Sequence, residues 1–341
     1  MDANRRTFLA GALGAGVVLA AGGCAEPAPY RPDALSLRWD PPSRIRTLPG
    51  VGDNWPATLA SDGSLYTAYG DGYGFGGRRL LSLGFARVTG TPFSGVMRGT
   101  SIPASIDATG GSSSGIKASG LIEDHGELFC FVRNYVVAGS YRHSRLAWSG
   151  DRGRTWTWAG WHFTRSFGCP DFVQGAGDPA YVYLVSQDNN DAYRRNQNVV
   201  LARIPRGRIA DRSAYEFFAG TNSSAAWTAD ITKRLPIFHD PNGTLRVSMS
   251  YNAPLHLYLL VSSHGTGNGE LLNGSLGVFA ARAPWGPWRT LYYSNNWSPG
   301  ISYEQKFPPH YMSAGGRQMW CLFSGNEGTP YKFALRRAVL A

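Results

Sequence analysis

The sequence predicts an all-β chain wound as a five-bladed β-propeller, and three observations carry that prediction. Glycine, proline and aromatic residues are abundant, with 43 Gly, 21 Pro and 13% aromatics against only 16% charged residues. That balance favours many short strands and turns over helices. A turn followed by a β-rich strand that ends in small and polar residues recurs along the chain. Finally, Ser149-Gly150-Asp151-Arg152-Gly153-Arg154-Thr155-Trp156 matches the Asp-box pattern S-x-D-x-G-x-T-W of propeller hairpin turns. Its aspartate is expected to form the turn by accepting from nearby backbone amides.

The first residues form a separate object. Asn4-Arg5-Arg6-Thr7-Phe8-Leu9 precedes an apolar and small run from Ala10 to Ala21, then Gly22-Gly23-Cys24. This reads as a twin-arginine export signal over residues 1–23 with a lipoprotein cleavage site, so that lipid on Cys24 would be the sole link to a membrane. The apolar run is too short to span a bilayer comfortably. Residues 24–40 read as a Pro-rich tether and 41–341 as the propeller, within the size range of large all-β single domains.

The repeat sets the register. Its second strands are Gly63 to Asp71, Gly126 to Asn134, Asp178 to Asp188, Gly243 to Asn252 and Gly316 to Asn326. The segments before each turn start at Asp53, Lys117, Phe167, Lys233 and Gln305, and each has Pro or Gly at its fourth place. Proline lacks a ladder donor, so its recurrence suits the start of an innermost strand. In a propeller such strands converge on the axis. The predicted ring therefore holds Asp53, Lys117, Lys233 and Gln305, with Glu304 beside it, and Asp71, Asn134, Asp188, Asn252 and Asn326.

The chemistry gathers at Asp53 to Phe75. An antiparallel hairpin folds its two ends to one edge, so Asp53 and Asp71 are expected to be neighbours. Paired carboxylates in a polar dish suit glycoside hydrolysis, which needs an acid for the leaving oxygen and a second carboxylate as base or nucleophile. Lys117, Asn134, Asp188, Asn252 and Glu304 are expected to hold a polyhydroxylated substrate, with Trp55, Tyr73 and Trp227 stacking on sugar faces. Which Asp is the acid, and whether a third carboxylate takes part, stay open.

Other chemistries find no support. Seven His residues show no HxH or HExxH spacing, there is no G-x-S-x-G elbow, and no cofactor is expected. Cys130, Cys169 and Cys321 are odd in number, and Cys130 and Cys321 sit in apolar strands as small buried hydrophobes. The net charge of +10 is scattered, without the clustered basic and aromatic pattern of nucleic-acid binding, and suits an anionic envelope polymer better.

The Asp53 to Phe75 stretch, the strand from Lys117 to Leu121, the Asp-box and the Val185 to Asn190 segment together resemble a family of secreted bacterial propellers, formerly of unknown function and now classed as endo-D-arabinanases. The resemblance implies a hydrolase of D-arabinofuranosyl linkages in arabinogalactan and lipoarabinomannan, with the family's paired aspartates falling on Asp53 and Asp71. A monomer acting on a polysaccharide is expected. A non-catalytic carbohydrate-binding envelope lipoprotein and an exo-acting arabinofuranosidase are the alternatives.

Overall fold

The computed structural model describes residues 27–110, 115–135, 142–265, 274–297, 302–326 and 329–341; the predicted signal and Cys24 lie outside them. The described chain is all-β, with helical residues confined to single 3-10 turns such as Ile231–Lys233 and Pro309–Tyr311. Its strands pair antiparallel in four sheets.

Two short strands, β1 (Leu37–Trp39) and β2 (Arg46–Leu48), open the described residues, and β1 forms within the stretch expected as a tether because it pairs with the last strand. The first sheet contains β3 (Gly50–Asp53), β4 (Ala57–Leu59), β5 (Leu65–Phe75), β6 (Leu81–Gly90), β7 (Met97–Ile102) and β8 (Ala108–Thr109), in the order β3-β5-β6-β7 with β4 on β5 and β8 on β6. The second runs β9 (Lys117–Asp124), β10 (Glu127–Arg133), β11 (Ser144–Ser149) and β12 (Thr157–Phe163).

The third sheet merges two of the expected units. It holds β13 (Asp171–Phe172), β14 (Tyr181–Gln187), β15 (Asn196–Pro205), β16 (Glu216–Phe218) and β17 (Trp227–Thr228), then continues through a β15–β18 pairing into β18 (Phe238–Asn252), β19 (Leu257–Ser263), β20 (Leu276–Ala281) and β21 (Arg289–Ser294). The fourth holds β22 (Tyr303–Lys306), β23 (Gln318–Asn326) and β24 (Thr329–Leu340), to which β1 and β2 both hydrogen-bond.

Alternating apolar side chains make each sheet two-faced, and the faces meet in five apolar clusters. Tyr66, Phe85, Leu128 and Trp156 join the first sheet to the second. Phe131, Phe163, Phe172 and Phe217 join the second to the third, and Val185, Leu201, Phe238 and Leu260 bind the two halves of the third together. Leu259, Val278, Phe307 and Phe323 continue into the fourth, and Trp55, Tyr69, Leu322 and Phe333 return from the fourth to the first. Each fully buried aromatic or branched side chain contributes about 1.5–3 kcal/mol.

Turn chemistry follows the sequence closely. Asp151 accepts from Ser149 Oγ at 2.9 Å, from the Arg154 and Thr155 amides at 3.0 and 2.8 Å, and from Thr155 Oγ1 at 2.7 Å. The fourth repeat is where the structure departs from the expected register. The exposed Lys233 closes a 3-10 turn, residues 234–237 form no strand, and Phe238–Asn252 is one continuous strand. Its second half, from Thr244, is the strand equivalent to β9. The apolar Leu235-Pro236-Ile237-Phe238 run imitated a strand, but a turn and the β15 pairing use it instead.

Candidate active site

The site lies where β3 and β10 end and β9 and β22 begin, beside Asp71 within β5. Its geometry starts from a break in the first hairpin. Asp53 is the ladder partner of Gly70, after a register shift that follows Val51. Asn54 and Trp55 then take left-handed backbone, φ 73° and 53°, which separates β3 from β4. A β-carbon at Gly70 would stand 2.7 Å from Asp53 Oδ1 and 3.0 Å from the Ser82 carbonyl, so only glycine leaves room for that carboxylate. Asp71 follows immediately, itself left-handed at φ 46°. Asn134, Arg246 and Glu304 adopt the same strained region, with φ 61°, 57° and 59°. Such conformations cost about 1–3 kcal/mol each and gather where side chains must be aimed.

Two polar systems result. Lys117, buried at the start of β9, ion-pairs with Asp71 at 2.5 Å. Asp53 accepts from Asn54 Nδ2 at 2.7 Å, and Asn54 Oδ1 accepts from Arg133 Nη2 at 2.9 Å. Arg133, fully buried at the end of β10, also reaches Cys169 Sγ at 3.8 Å. From the other side Arg246 contacts the same sulfur at 4.0 Å and donates to Glu304 Oε1 at 3.0 Å. Tyr193 lies between the two guanidiniums, with ring centroid 5.2 Å from that of Arg133 and 4.8 Å from that of Arg246. Beneath, Lys306 donates to Asp171 Oδ2 at 2.9 Å, both buried.

Burial and charge set the protonation tendencies. Burial pushes the Glu304 carboxyl up, against the pull of Arg133 and Lys306. Burial pushes Asp171 up to about 6 even with Lys306 bonded to it. Burial opposes the charge on Arg133, but Tyr193, Cys169, Glu304 and Asp53 more than offset it, so the guanidinium holds its proton more tightly than usual. Burial raises the Cys169 thiol to about 12, which leaves it a protonated filler between two arginines. Cys130, Cys169 and Cys321 are all free and buried. Among the described residues no group of three or more His, Cys, Asp and Glu is placed to hold a metal ion.

Asp53, Asp71, Lys117, Asn134 and Glu304 thus come together at one end. Tyr73, two residues past Asp71 on β5, is 42% exposed beside them. Three other expectations fail, and Asp188 is held in a separate ion pair. Trp55 is fully buried, its Nε1 donating to the Gly52 and Lys332 carbonyls and its rings packed on Tyr69, Phe75 and Phe333. The left-handed turn at Asn54-Trp55 swings the indole into the core. Trp227 stands on an outer strand against Phe218 and Trp285, with Arg203 over its ring. Asp188 is claimed by Arg234, which donates to its Oδ1 from Nη2 at 2.6 Å and from Nε at 2.9 Å. Asn252 is buried at the far end of β18, donating to the Gly316 carbonyl at 2.8 Å. The one-strand error in the fourth repeat explains it, since Arg246 and not Asn252 or Lys233 occupies the site end.

Sequence reasoning missed Arg133, Arg246, Asp171 and Lys306. The available signal was a charge inside an apolar strand, as in Phe131-Val132-Arg133 and Leu245-Arg246-Val247, because such charges are buried only when paired.

The DUF4185 family, described as a domain of unknown function, matches residues 125–311. The chain belongs to the DUF4185 family. The matched segment contains Arg133, Asn134, Cys169, Asp171, Arg246 and Glu304, while Asp53, Asp71 and Lys117 precede it. No curated protein matches this DUF4185 chain. Among solved structures it is similar to a Bacteroides ovatus protein provisionally assigned as a hydrolase, at 12% identity over 86% of this chain and 87% of that one, with a TM-score of 0.56. It is also similar to RS223-β-xylosidase, at 11% identity over 87% and 95% of the two chains, with a TM-score of 0.52. At these identities the likeness is one of fold.

Proposed function

We propose that this DUF4185 protein is a glycoside hydrolase that cuts D-arabinofuranosyl linkages within cell-wall arabinan, built on a five-bladed β-propeller and exported to the envelope on a lipid anchor at Cys24. The observation that supports the catalytic reading is the Asp53–Gly70 ladder pair, which brings the backbone of Asp53 to within one residue of Asp71 on the adjacent strand. The five apolar clusters, the last of which returns from the fourth sheet to the first, support the ring of blades. A β-xylosidase among the structures of similar fold supports a glycosidase on this scaffold. The resemblance of the Asp53 to Phe75 stretch supports arabinan as the substrate.

In this mechanism one carboxyl gives its proton to the leaving glycosidic oxygen. The other, ionised, attacks the anomeric carbon or takes a proton from the water that does. Lys117 orients Asp71, and Asn54 with Arg133 orients Asp53. Glu304, whose protonated form is favoured by burial, is a third carboxyl at the same site, joined to the Asp53 side through Arg246, Cys169 and Arg133. Incubation of the mature protein with arabinogalactan, followed by chromatography of the products, tests the proposal. Oligosaccharides are expected. Free arabinose alone would make the enzyme exo-acting, and no product would leave a binding protein.

A further inference from the structure

The rim of the site carries a feature that hydrolysis of a neutral sugar does not use. Three loops lock together at this end of the molecule. The His143 amide donates to the Asn190 carbonyl at 2.8 Å, the Gly168 amide to the Asn189 carbonyl at 2.8 Å, and Asn190 Nδ2 to the Thr164 carbonyl at 3.3 Å. A β-carbon on Gly168 would stand 2.4 Å from the Asn190 carbonyl carbon, so glycine there permits the closeness. The same 188–195 loop places Tyr193 between Arg133 and Arg246 in the site.

These loops and the segment after them are rich in positive charge. Arg142, Arg165 and Arg194 are exposed, one on each loop, and Arg195, Lys233 and Arg234 adjoin them. The acidic residues among them are Asp188, Asp191 and Asp230, half as many. Asp188 is taken by Arg234 at 2.6 Å, whereas Asp191 reaches Arg194 only at 3.7 Å and Asp230 reaches Lys233 at 4.0 Å. The histidines of the rim register the field. The rings of His143 and His162 lie tilted against each other with centroids 5.3 Å apart, and burial, His162 and Arg142 together hold His143 below the usual imidazole range.

We propose that this rim binds phosphate or carboxylate groups carried by the polysaccharide chain, with Arg142, Arg165 and Arg194 as the contacts. Guanidinium groups pair bidentately with either anion, and here three of them are carried by three interlocked loops on one rim. The inference rests on the polysaccharide reading of the site and extends it to the charge of the polymer. A substrate held this way lies across the second and third strand groups and reaches the carboxylates past Tyr193.

Retardation of the folded protein in gels containing a polymer tests the proposal. The background is Asp53→Asn, so that turnover plays no part. The probes are neutral pullulan, phosphomannan and polygalacturonate. Retardation by phosphomannan, polygalacturonate or both is expected, weakened by salt and absent with pullulan. Phosphomannan alone would assign phosphate, and polygalacturonate alone carboxylate. The triple variant Arg142→Gln, Arg165→Gln, Arg194→Gln should weaken binding about tenfold or more, whereas Arg44→Gln, Arg98→Gln, Arg154→Gln, equal in charge and elsewhere on the surface, should change it less than about twofold. Equal loss in both triples, retardation by pullulan, or no retardation by any polymer would each overturn it. An arabinogalactan left uncut by the wild-type protein would sink the glycosidase proposal alone.

Discussion

The two ends of the inner strands use the same backbone conformation for opposite purposes. At the site end left-handed φ falls on Asn54, Trp55, Asp71, Asn134, Arg246 and Glu304, all but Asp71 buried, with the glycine Gly74 among them. At the opposite end it falls on glycines of the hairpin turns, such as Gly63, Gly126 and Gly316, or on His125, Arg152 and His256 in turns open to solvent. The polar groups differ likewise. Asp62 and Asp178 at the opposite end serve their own turns, accepting from Ser64 N and Tyr66 Oη, and from Ala180 N and Tyr183 Oη. At the site end Asp171–Lys306 and Glu304–Arg246 are interior ion pairs between strands. At the site end most of the strain falls on residues whose side chains must be aimed, whereas the hairpin turns of the opposite end use glycine more often.

The strongest way to break this comparison is to neutralise one carboxylate at each end. Asp53→Asn or Asp71→Asn should cut arabinan cleavage roughly 10²–10⁴-fold, measured as reducing ends released, with folding retained. Asp62→Asn and Asp178→Asn should leave turnover within about twofold and show up only as a loss of about 1 kcal/mol in urea unfolding. Full activity in both site variants would remove the chemistry from this hairpin.

Next in size is the cost of opening an ion pair. Lys306→Met leaves Asp171 buried without its cation and should destabilise by about 3–5 kcal/mol, and Lys306→Met with Asp171→Leu should recover most of that loss. Arg152→Met opens the half-exposed pair with Asp62, 3.8 Å apart, and should cost at most about 1 kcal/mol. Denaturant midpoints at constant slope measure both. Equal costs at the two ends would mean that the site's charges are solvated after all.

The smallest effect is on pH dependence, where the two ends have opposite sign. Asp171 binds its proton more tightly folded than unfolded, with the folded value at about 6. Its contribution is therefore most favourable below about pH 4 and is lost as pH rises toward 6. Asp151 is held down to about 2, chiefly by the Thr155 hydroxyl and amide, so its contribution is present above about pH 4 and is lost as pH falls toward 2. Thermal unfolding of Asp171→Asn and Asp151→Asn across pH 2 to 7, each against wild type, should give differences that change in these separate windows. A single shared window would contradict the assignment.

Much of this was legible from residue order. The turns at Asp62-Gly63 and His125-Gly126, the Asp151 motif and the first hairpin obey local rules that read a few residues at a time. The pairing of Asp53 with the Gly70–Asp71 edge followed from antiparallel geometry, and Lys117 from the repeat. The errors arose where local rules were silent. Trp55 has the composition of a sugar platform, but a left-handed pair of residues turns it inward. Leu235 to Phe238 has the composition of an inner strand, but the neighbouring sheet edge at β15 claims it.

What the sequence determined by itself is the all-β class, the hairpin that brings Asp53 beside Asp71, and the excess of positive charge, because composition, turn residues and strand alternation act over short spans. Only the tertiary structure decided that Arg133, from β10, and Arg246, from β18, meet at one sulfur and one tyrosine ring. Those residues lie far apart in the chain, and a buried charge takes its partner from whichever strand packing brings within reach.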